Sequence, residues 1–265
     1  MAGSPVGSPV ILGSGGHHVV AIHGWFGSAR GWGSLPAYLD GTSYTYAFMD
    51  LRGYGDRKSA VGEYTAEEVA SDVLALAGSL GWDRFSVLGH SMGGKFGHRV
   101  LIDAPDRVRA LVGVNPVPAA ATPMDDQTRG LFHGAIAEAG NRAAIIDFTT
   151  GSRLTRAFVD EVVGHSVSNS SADAFGAYLT AWAHTDFSAS AGVRSDVPVK
   201  VIVGENDPAL SAEVMTQTWL KYFPAAELEV LANAGHYPMF ETPVALATSI
   251  ERFLGASSGA SSGVG

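Results

Sequence analysis

Apolar, β-branched and aromatic residues come in short runs along the chain, each closing on a small or polar residue. "HHVVAIHG" ends at Gly24, "YTYAFMD" at Asp50, "RFSVLGH" at His90, "ALVGVNP" at Pro116, "VKVIVGEND" at Asp207 and "ELEVLANAGH" at His236. The runs are nearly continuous rather than alternating, which predicts strands buried on both faces, as in a parallel sheet. Between them the apolar spacing lengthens to a helical period. Thr65 and Glu68 in "YTAEEVASDVLALAGSLG" form a capping box before one such stretch, with Gly81 near its end. Thr242 and Pro243 read as the N-cap and first residue of a last helix running through Phe253. Strand and helix in alternation predict right-handed βαβ units in an α/β, doubly wound, mostly parallel sheet.

One interval breaks the rhythm. Residues 117–196 contain no convincing strand. "SADAFGAYLTAWAH" sets Phe175, Tyr178, Leu179 and Trp182 on one helical face, and "NRAAIIDF" and "RLTRAFVDEVVGH" also read as helical. The expected organisation is a core of residues 1–116 and 197–254, a helical cap of residues 117–196 over the C-terminal edge of the strands, and a flexible tail at 255–265.

Composition narrows the function classes. Of the 265 residues, 46% are apolar and 16% charged, the balance of a folded protein rather than a disordered one. Lysine and arginine number 17 against 26 acidic residues, and the net charge of -9 argues against nucleic acid or an anionic membrane as partner. With no cysteine, disulfides, thiolate metal sites and cysteine nucleophiles are excluded. No apolar stretch has the length of a membrane span, and "MAGSPVGSPVILGSGG" lacks the layout of a signal peptide, so a cytoplasmic location is expected. The composition says nothing of oligomeric state.

The candidate chemistry sits where the third of these runs ends. Gly89-His90-Ser91-Met92-Gly93 satisfies G-x-S-x-G between the strand "FSVL" and a helix through about Ile102. In that setting the serine is expected in a strained turn. Side chains two residues either side would collide with neighbouring backbone, and glycine avoids this. A serine nucleophile needs a base, and the base needs a carboxylate to orient it. Asp207 lies just past a later strand, 116 residues after Ser91, and His236 lies 29 residues further on, after the next strand. Both belong to the sheet edge where open α/β folds bind ligands. Glu205 is the alternative acid, and the other histidines are expected to be structural, with His133 and His184 as candidates for the pocket lining. Attack on a carbonyl calls for two N–H donors, here the backbone amides of Trp25 and Met92. Phe26, Phe175, Tyr178 and Trp182, with the Trp25 and Met92 side chains, are candidates for an apolar substrate pocket. "GSGG" and "RGYGDR" fit neither dinucleotide nor P-loop patterns, and Ser91 and Lys95 are not in S-x-x-K register. Neither a cofactor nor a metal is expected.

Together "HGWFG", "DLRGYGD", "GHSMGG", "APDRVRALVGVNP", "GENDPAL" and "AGHYPMFETP" resemble the α/β-hydrolase superfamily over residues 10–254. "HGW", "TDF" at Thr185–Phe187 and "GENDPAL" look most like the branch of small microbial serine esterases and cofactor-free haloperoxidases, or perhydrolases. The resemblance implies an α/β-hydrolase sheet with its helical cap inserted after the sixth strand. It also implies a Ser91-His236-Asp207 triad acting on a small-molecule ester or lactone. Perhydrolases often carry proline after H-G-W, where this chain has Phe26, which favours ester hydrolysis. Dehalogenases and epoxide hydrolases carry aspartate at the elbow, so Ser91 argues against both. Carbon–carbon bond hydrolysis, perhydrolysis, or a non-enzymatic role as a small-molecule receptor remain as alternatives. The segment "RGYGDRKS" departs from the usual R-G-x-G-x-S at Asp56-Arg57, which could alter the pocket rim.

Overall fold

A computed structural model of the chain describes residues 7–194 and 196–259. Its centre is a seven-stranded sheet in the order β1-β3-β2-β4-β5-β6-β7. The strands are β1 (Val10–Gly13), β2 (His17–Ile22), β3 (Tyr44–Met49), β4 (Phe85–His90), β5 (Val108–Val114), β6 (Val199–Gly204) and β7 (Glu227–Leu231). Only β1 runs antiparallel, against β3; every other pairing is parallel. The central strands β4 and β6 are buried along their whole length, as their continuous apolar runs require. β7 differs: its residues are mostly part-exposed, because it is the sheet's edge and has a neighbour on one side only. Lys200 of β6 is buried and bridges to Glu227 and Glu229 of β7 at 3.2 and 2.7 Å.

α1 (Ala66–Ser79) packs against α2 (Met92–Asp103), which packs on the sheet against β4 and β5. The Thr65 hydroxyl accepts the Glu68 amide at 3.1 Å, while the Glu68 carboxylate reaches back to the Tyr64 amide at 2.9 Å. That start reproduces the capping box, displaced by one residue on its return bond. Gly97 lets α2 lie close on the sheet, since a Cβ there would stand 2.9 Å from Val87 and 3.1 Å from Leu111.

Between β5 and β6 come α3 (Asp126–Gly134), α4 (Ala139–Thr149), α5 (Arg156–Asn169), α6 (Ala172–Leu179), a π-helical turn (Thr180–His184) and α7 (Ser188–Ala191). This insertion follows the fifth strand in chain order, where the family resemblance implies the sixth. The reason is that a single antiparallel strand precedes the parallel ones, so each later strand carries a number lower by one. α8 (Ala212–Gln217) and α9 (Trp219–Tyr222) precede β7, and α10 (Pro238–Glu241) and α11 (Pro243–Gly259) close the chain. Thr242 opens α11 through its carbonyl, which accepts the Leu246 amide at 3.0 Å, but its hydroxyl makes no hydrogen bond, so it is not the side-chain cap the sequence suggests. The helix runs past Phe253 to Gly259, helped by Ser257, whose hydroxyl donates to the Phe253 carbonyl at 2.8 Å. Alanine and serine in the tail tolerate helix once Phe253 and Leu254 are anchored in the core. The rest of the expected tail, 260–265, lies outside the described residues.

Candidate active site

The strand-to-helix turn after β4 holds Ser91 at φ 54°, ψ -119°, a conformation that costs an L-residue about 1–3 kcal/mol. Its neighbours explain how that is tolerated. A Cβ on Gly89 would sit 2.3 Å from the Gly93 carbonyl oxygen, and one on Gly93 would sit 2.2 Å from that of Ile22. Only glycine fits at either place. Ser91 stands at the N-terminus of α2, where the helix dipole favours negative charge.

The peptide planes on either side of the site are fixed in the same manner. The Ser91 carbonyl accepts the amides of Gly94 at 2.9 Å and Val117 at 3.0 Å. In a trans peptide this holds the Met92 N–H pointing the opposite way. The Gly24 carbonyl likewise accepts the Gly27 amide at 2.9 Å and the His23 Nδ1–H at 2.8 Å, which fixes the Trp25 N–H. His23 Nε2 in turn accepts the Leu51 amide at 3.2 Å, so its two partners define the neutral Nδ1–H tautomer. Burial also pushes the His23 imidazolium down, in keeping with that neutral form. The sequence marks His23 only as the end of a strand; its bonds make it the brace of the loop.

Asp207 and His236 are brought together from the loops after β6 and β7. His236 Nδ1–H donates to Asp207 Oδ2 at 2.6 Å. Oδ2 also accepts the Asn115 side-chain amide at 2.7 Å, and Oδ1 accepts the backbone amides of Ala209 at 2.9 Å and Leu210 at 3.1 Å. Burial raises the Asp207 carboxyl, but the His236 charge and hydrogen bond and the two loop amides outweigh it and hold the group below the usual carboxylate range. Glu205, the alternative acid, is exposed and accepts the Asn233 amide at 3.1 Å, away from His236. The His236 backbone is held by its amide on the Thr149 carbonyl at 3.1 Å and by His90 Nε2–H on its own carbonyl at 2.8 Å. His90 is pushed down to about 3 by burial and the neighbouring His236, so it serves as a neutral donor.

Asn115 is the residue that sequence reading misses. It directly follows β5 in a left-handed conformation, φ 43°, its amide donating to the Ile202 carbonyl at 2.7 Å. That geometry turns its side chain onto Asp207 and leaves its own Oδ1 without a partner. The one visible signal is an asparagine, tolerant of positive φ, closing the apolar run "ALVGVN".

Ser91 and His236 line one cavity of about 580 Å³ between the strand edge and the inserted helices α3, α4 and α5 with the π turn. Trp25, Phe26, Val117, Phe132, Trp182 and Tyr237 give it an apolar aromatic wall. Of the pocket candidates, Phe26 and Trp182 line it; Phe175, Tyr178 and the Met92 side chain do not. α6 turns its stripe away from the cavity. The Phe175 ring stacks on Trp25 at 4.0 Å and lies 3.8 Å below the Arg142 guanidinium, and Tyr178 packs among Tyr54, Tyr64 and Phe96. Both are wholly buried, as an apolar helical stripe commonly is. Met92 is equally buried at the start of α2. His133 and His184 lie outside the cavity wall and stack on each other, with Nε2 atoms 3.4 Å apart. The Asp56-Arg57 departure does not reach the cavity: Arg57 is buried and donates to Asp72 at 2.9 Å and to the Asp50 carbonyl at 3.2 Å. No cluster of three metal-ligating side chains exists among the described residues, and none of their helices is long and apolar enough to cross a membrane.

Comparison with known proteins agrees with this architecture. The chain is 34% identical over 113 residues to a fluoroacetate dehalogenase of a Burkholderia species, a match spanning 41% of this chain and 37% of the relative. It is 27% identical to esterase YbfF of Escherichia coli, over 89% of this chain and 92% of that one. The crystal structure of a bromoperoxidase from Bacillus anthracis superposes with a TM-score of 0.78 at 20% identity, covering 92% of this chain and 94% of the other. Residues 17–243 match the model of the alpha/beta hydrolase fold, and the chain belongs to that family.

Proposed function

We propose that the protein is a cofactor-independent serine hydrolase that cleaves small, largely apolar carboxylic esters or lactones. The observation that carries this reading is a strained, cavity-lining Ser91 that shares its cavity with a histidine already hydrogen-bonded to a buried, ionised aspartate. With Nδ1–H committed to Asp207, His236 Nε2 is left as the base for the Ser91 hydroxyl. The alkoxide attacks the ester carbonyl, and the Trp25 and Met92 amides receive the oxyanion. His236 then protonates the leaving alcohol, and water admitted through the same base hydrolyses the acyl-enzyme. Asp207 stabilises the imidazolium through both steps. The aromatic wall supplies apolar contact to the substrate and keeps bulk water from the oxyanion. The esterase similarity over nine-tenths of the chain supports the reaction class, and Phe26 in place of proline after His23-Gly24-Trp25 disfavours the perhydrolase alternative.

The test is a fluorophosphonate probe followed by peptide mass spectrometry, beside turnover of p-nitrophenyl esters. The adduct is expected on Ser91, and Ser91→Ala should lower kcat by several orders of magnitude. An adduct on another serine, or near wild-type turnover by Ser91→Ala, would sink the mechanism.

A further inference from the structure

Lys95 lies on α2, one turn past Ser91, and its side chain is wholly buried. No carboxylate forms an ion pair with it among the described residues. An ammonium withdrawn from water costs several kcal/mol unless its protons find acceptors. Here three backbone carbonyls receive them: Ala120 at 3.2 Å, Trp182 at 2.9 Å and Thr185 at 2.6 Å. Ala120 stands where the chain leaves β5 for the inserted helices. Trp182 and Thr185 stand where it comes back.

The returning segment is the π-helical turn Thr180–His184, closed by the Thr185 amide on the Thr180 carbonyl at 3.1 Å. A π turn takes carbonyls out of the regular α-helical ladder, and such turns recur at functional sites. Two further backbone bonds clasp the same ends, Thr122 to Ala183 at 2.8 Å and Phe187 to Ala119 at 3.2 Å. The Trp182 side chain projects from this turn into the cavity wall, its ring 5.6 Å from both Trp25 and Phe132. Lys95 itself does not line the cavity, so it is no alternative base for Ser91. If packing alone mattered, methionine would fill the same space without a buried charge.

We propose that Lys95 is a specificity-determining positioning residue: by binding three carbonyls it fixes the π turn, and thereby sets where Trp182 stands in the cavity wall and how long an acyl chain is accepted. Its probe substrates rest on the ester-hydrolase reading. Three carbonyls are satisfied only by the ammonium, since a neutral amine has two hydrogens and turns a lone pair towards the third. Burial pushes Lys95 down to about 8, opposed by the Asp186 charge, so this hold is full at neutral pH and is lost as pH rises through that value. The charged and titratable groups facing Lys95 are Asp186 and His184 on the returning segment and Arg99 further along α2, which shares the Phe187 ring with it. Hydrogen bonds from Ser188 hold the Asp186 carboxyl down, desolvation lowers His184, and Asp103 raises Arg99. None of the three changes charge between pH 7 and 10.

The experiment compares kcat/KM for p-nitrophenyl octanoate and p-nitrophenyl acetate from pH 7 to 10, in the wild type and in Lys95→Met. Taking the ratio of the two esters cancels titration of the serine chemistry they share. The wild-type octanoate-to-acetate ratio should fall at least about tenfold as pH passes 8, and Lys95→Met should hold the low ratio throughout. Octanoic acid, followed by calorimetry, should bind the variant correspondingly more weakly at pH 7. A wild-type ratio at pH 7 in the variant, or an equal loss on both esters, would overturn the proposal. So would a wild-type ratio that stays flat to pH 10, which decides the matter alone if Lys95→Met does not fold. Failure of the hydrolase reading looks different: neither ester is turned over, while octanoic acid binding still compares the two proteins.

Discussion

Replacing Asn115 by alanine separates the orientation of the acid from the stability of the fold. The side-chain amide donates to Asp207 Oδ2 at 2.7 Å, and a buried hydrogen bond to a carboxylate contributes about 1.5–3 kcal/mol. Alanine at φ 43° adds about 1 kcal/mol of backbone cost. Against these stands the unpartnered Oδ1, whose removal returns about 1–3 kcal/mol. The net destabilisation is therefore about 1 kcal/mol, a fall in Tm of roughly 2–4 °C for a chain of this size. Activity has no such offset. Asp207 Oδ2 loses a donor that favours its ionised form, so the carboxyl moves back up towards its ordinary range. The sign follows from the folded state. A depressed carboxyl contributes stability above its unfolded pKa and loses it as pH falls through the folded one, so in the variant that loss begins at higher pH. With one donor fewer, the Asp207 carboxylate attracts the protonated base more strongly, so the acid limb of the kcat/KM profile, set by that base, should move to higher pH, and plateau kcat should fall through looser orientation of His236. Stopped assays on a p-nitrophenyl ester across pH 4–9, with thermal melts in the same buffers, measure both. An unmoved acid limb beside a melt lowered by 10 °C or more would refute the reasoning and leave Asn115 a structural residue.

Glu205→Gln should leave kcat/KM within about twofold, because Glu205 faces the Asn233 amide and solvent, whereas Asp207→Asn should cost about 10⁴-fold in kcat through the wrong His236 tautomer. The reverse ranking on p-nitrophenyl acetate would reassign the acid. Phe175→Ala should destabilise the fold by about 3–5 kcal/mol in a urea titration, since the ring is wholly buried between Trp25 and Arg142. A loss under 1 kcal/mol with a changed ester preference would instead make Phe175 part of the pocket wall.

Much of the fold is legible in the sequence because its rules are local. Continuous apolar runs mark buried parallel strands, Thr65 and Glu68 mark a helix start, and glycines at positions 89 and 93 mark a turn that no side chain could occupy. Chain order alone nominates Asp207 and His236, and the structure brings them within 2.6 Å. What the sequence leaves open depends on which face of an element meets which neighbour. A period of 3.6 puts Phe175, Tyr178 and Trp182 on one stripe, but the rotation of α6 and the π turn after it decide that two are core and one is wall. Asn115 and Lys95 carry no motif. Their roles arise from partners far along the chain, Asp207 for one and Ala120, Trp182 and Thr185 for the other. The sequence by itself determined a parallel α/β sheet and a serine in a strained turn, because both follow from steric and hydrophobic rules acting over a few residues. The tertiary structure decided the orientation of the acid, the planes of the two amides and the wall of the cavity, because each is fixed by hydrogen bonds between segments that only folding brings together.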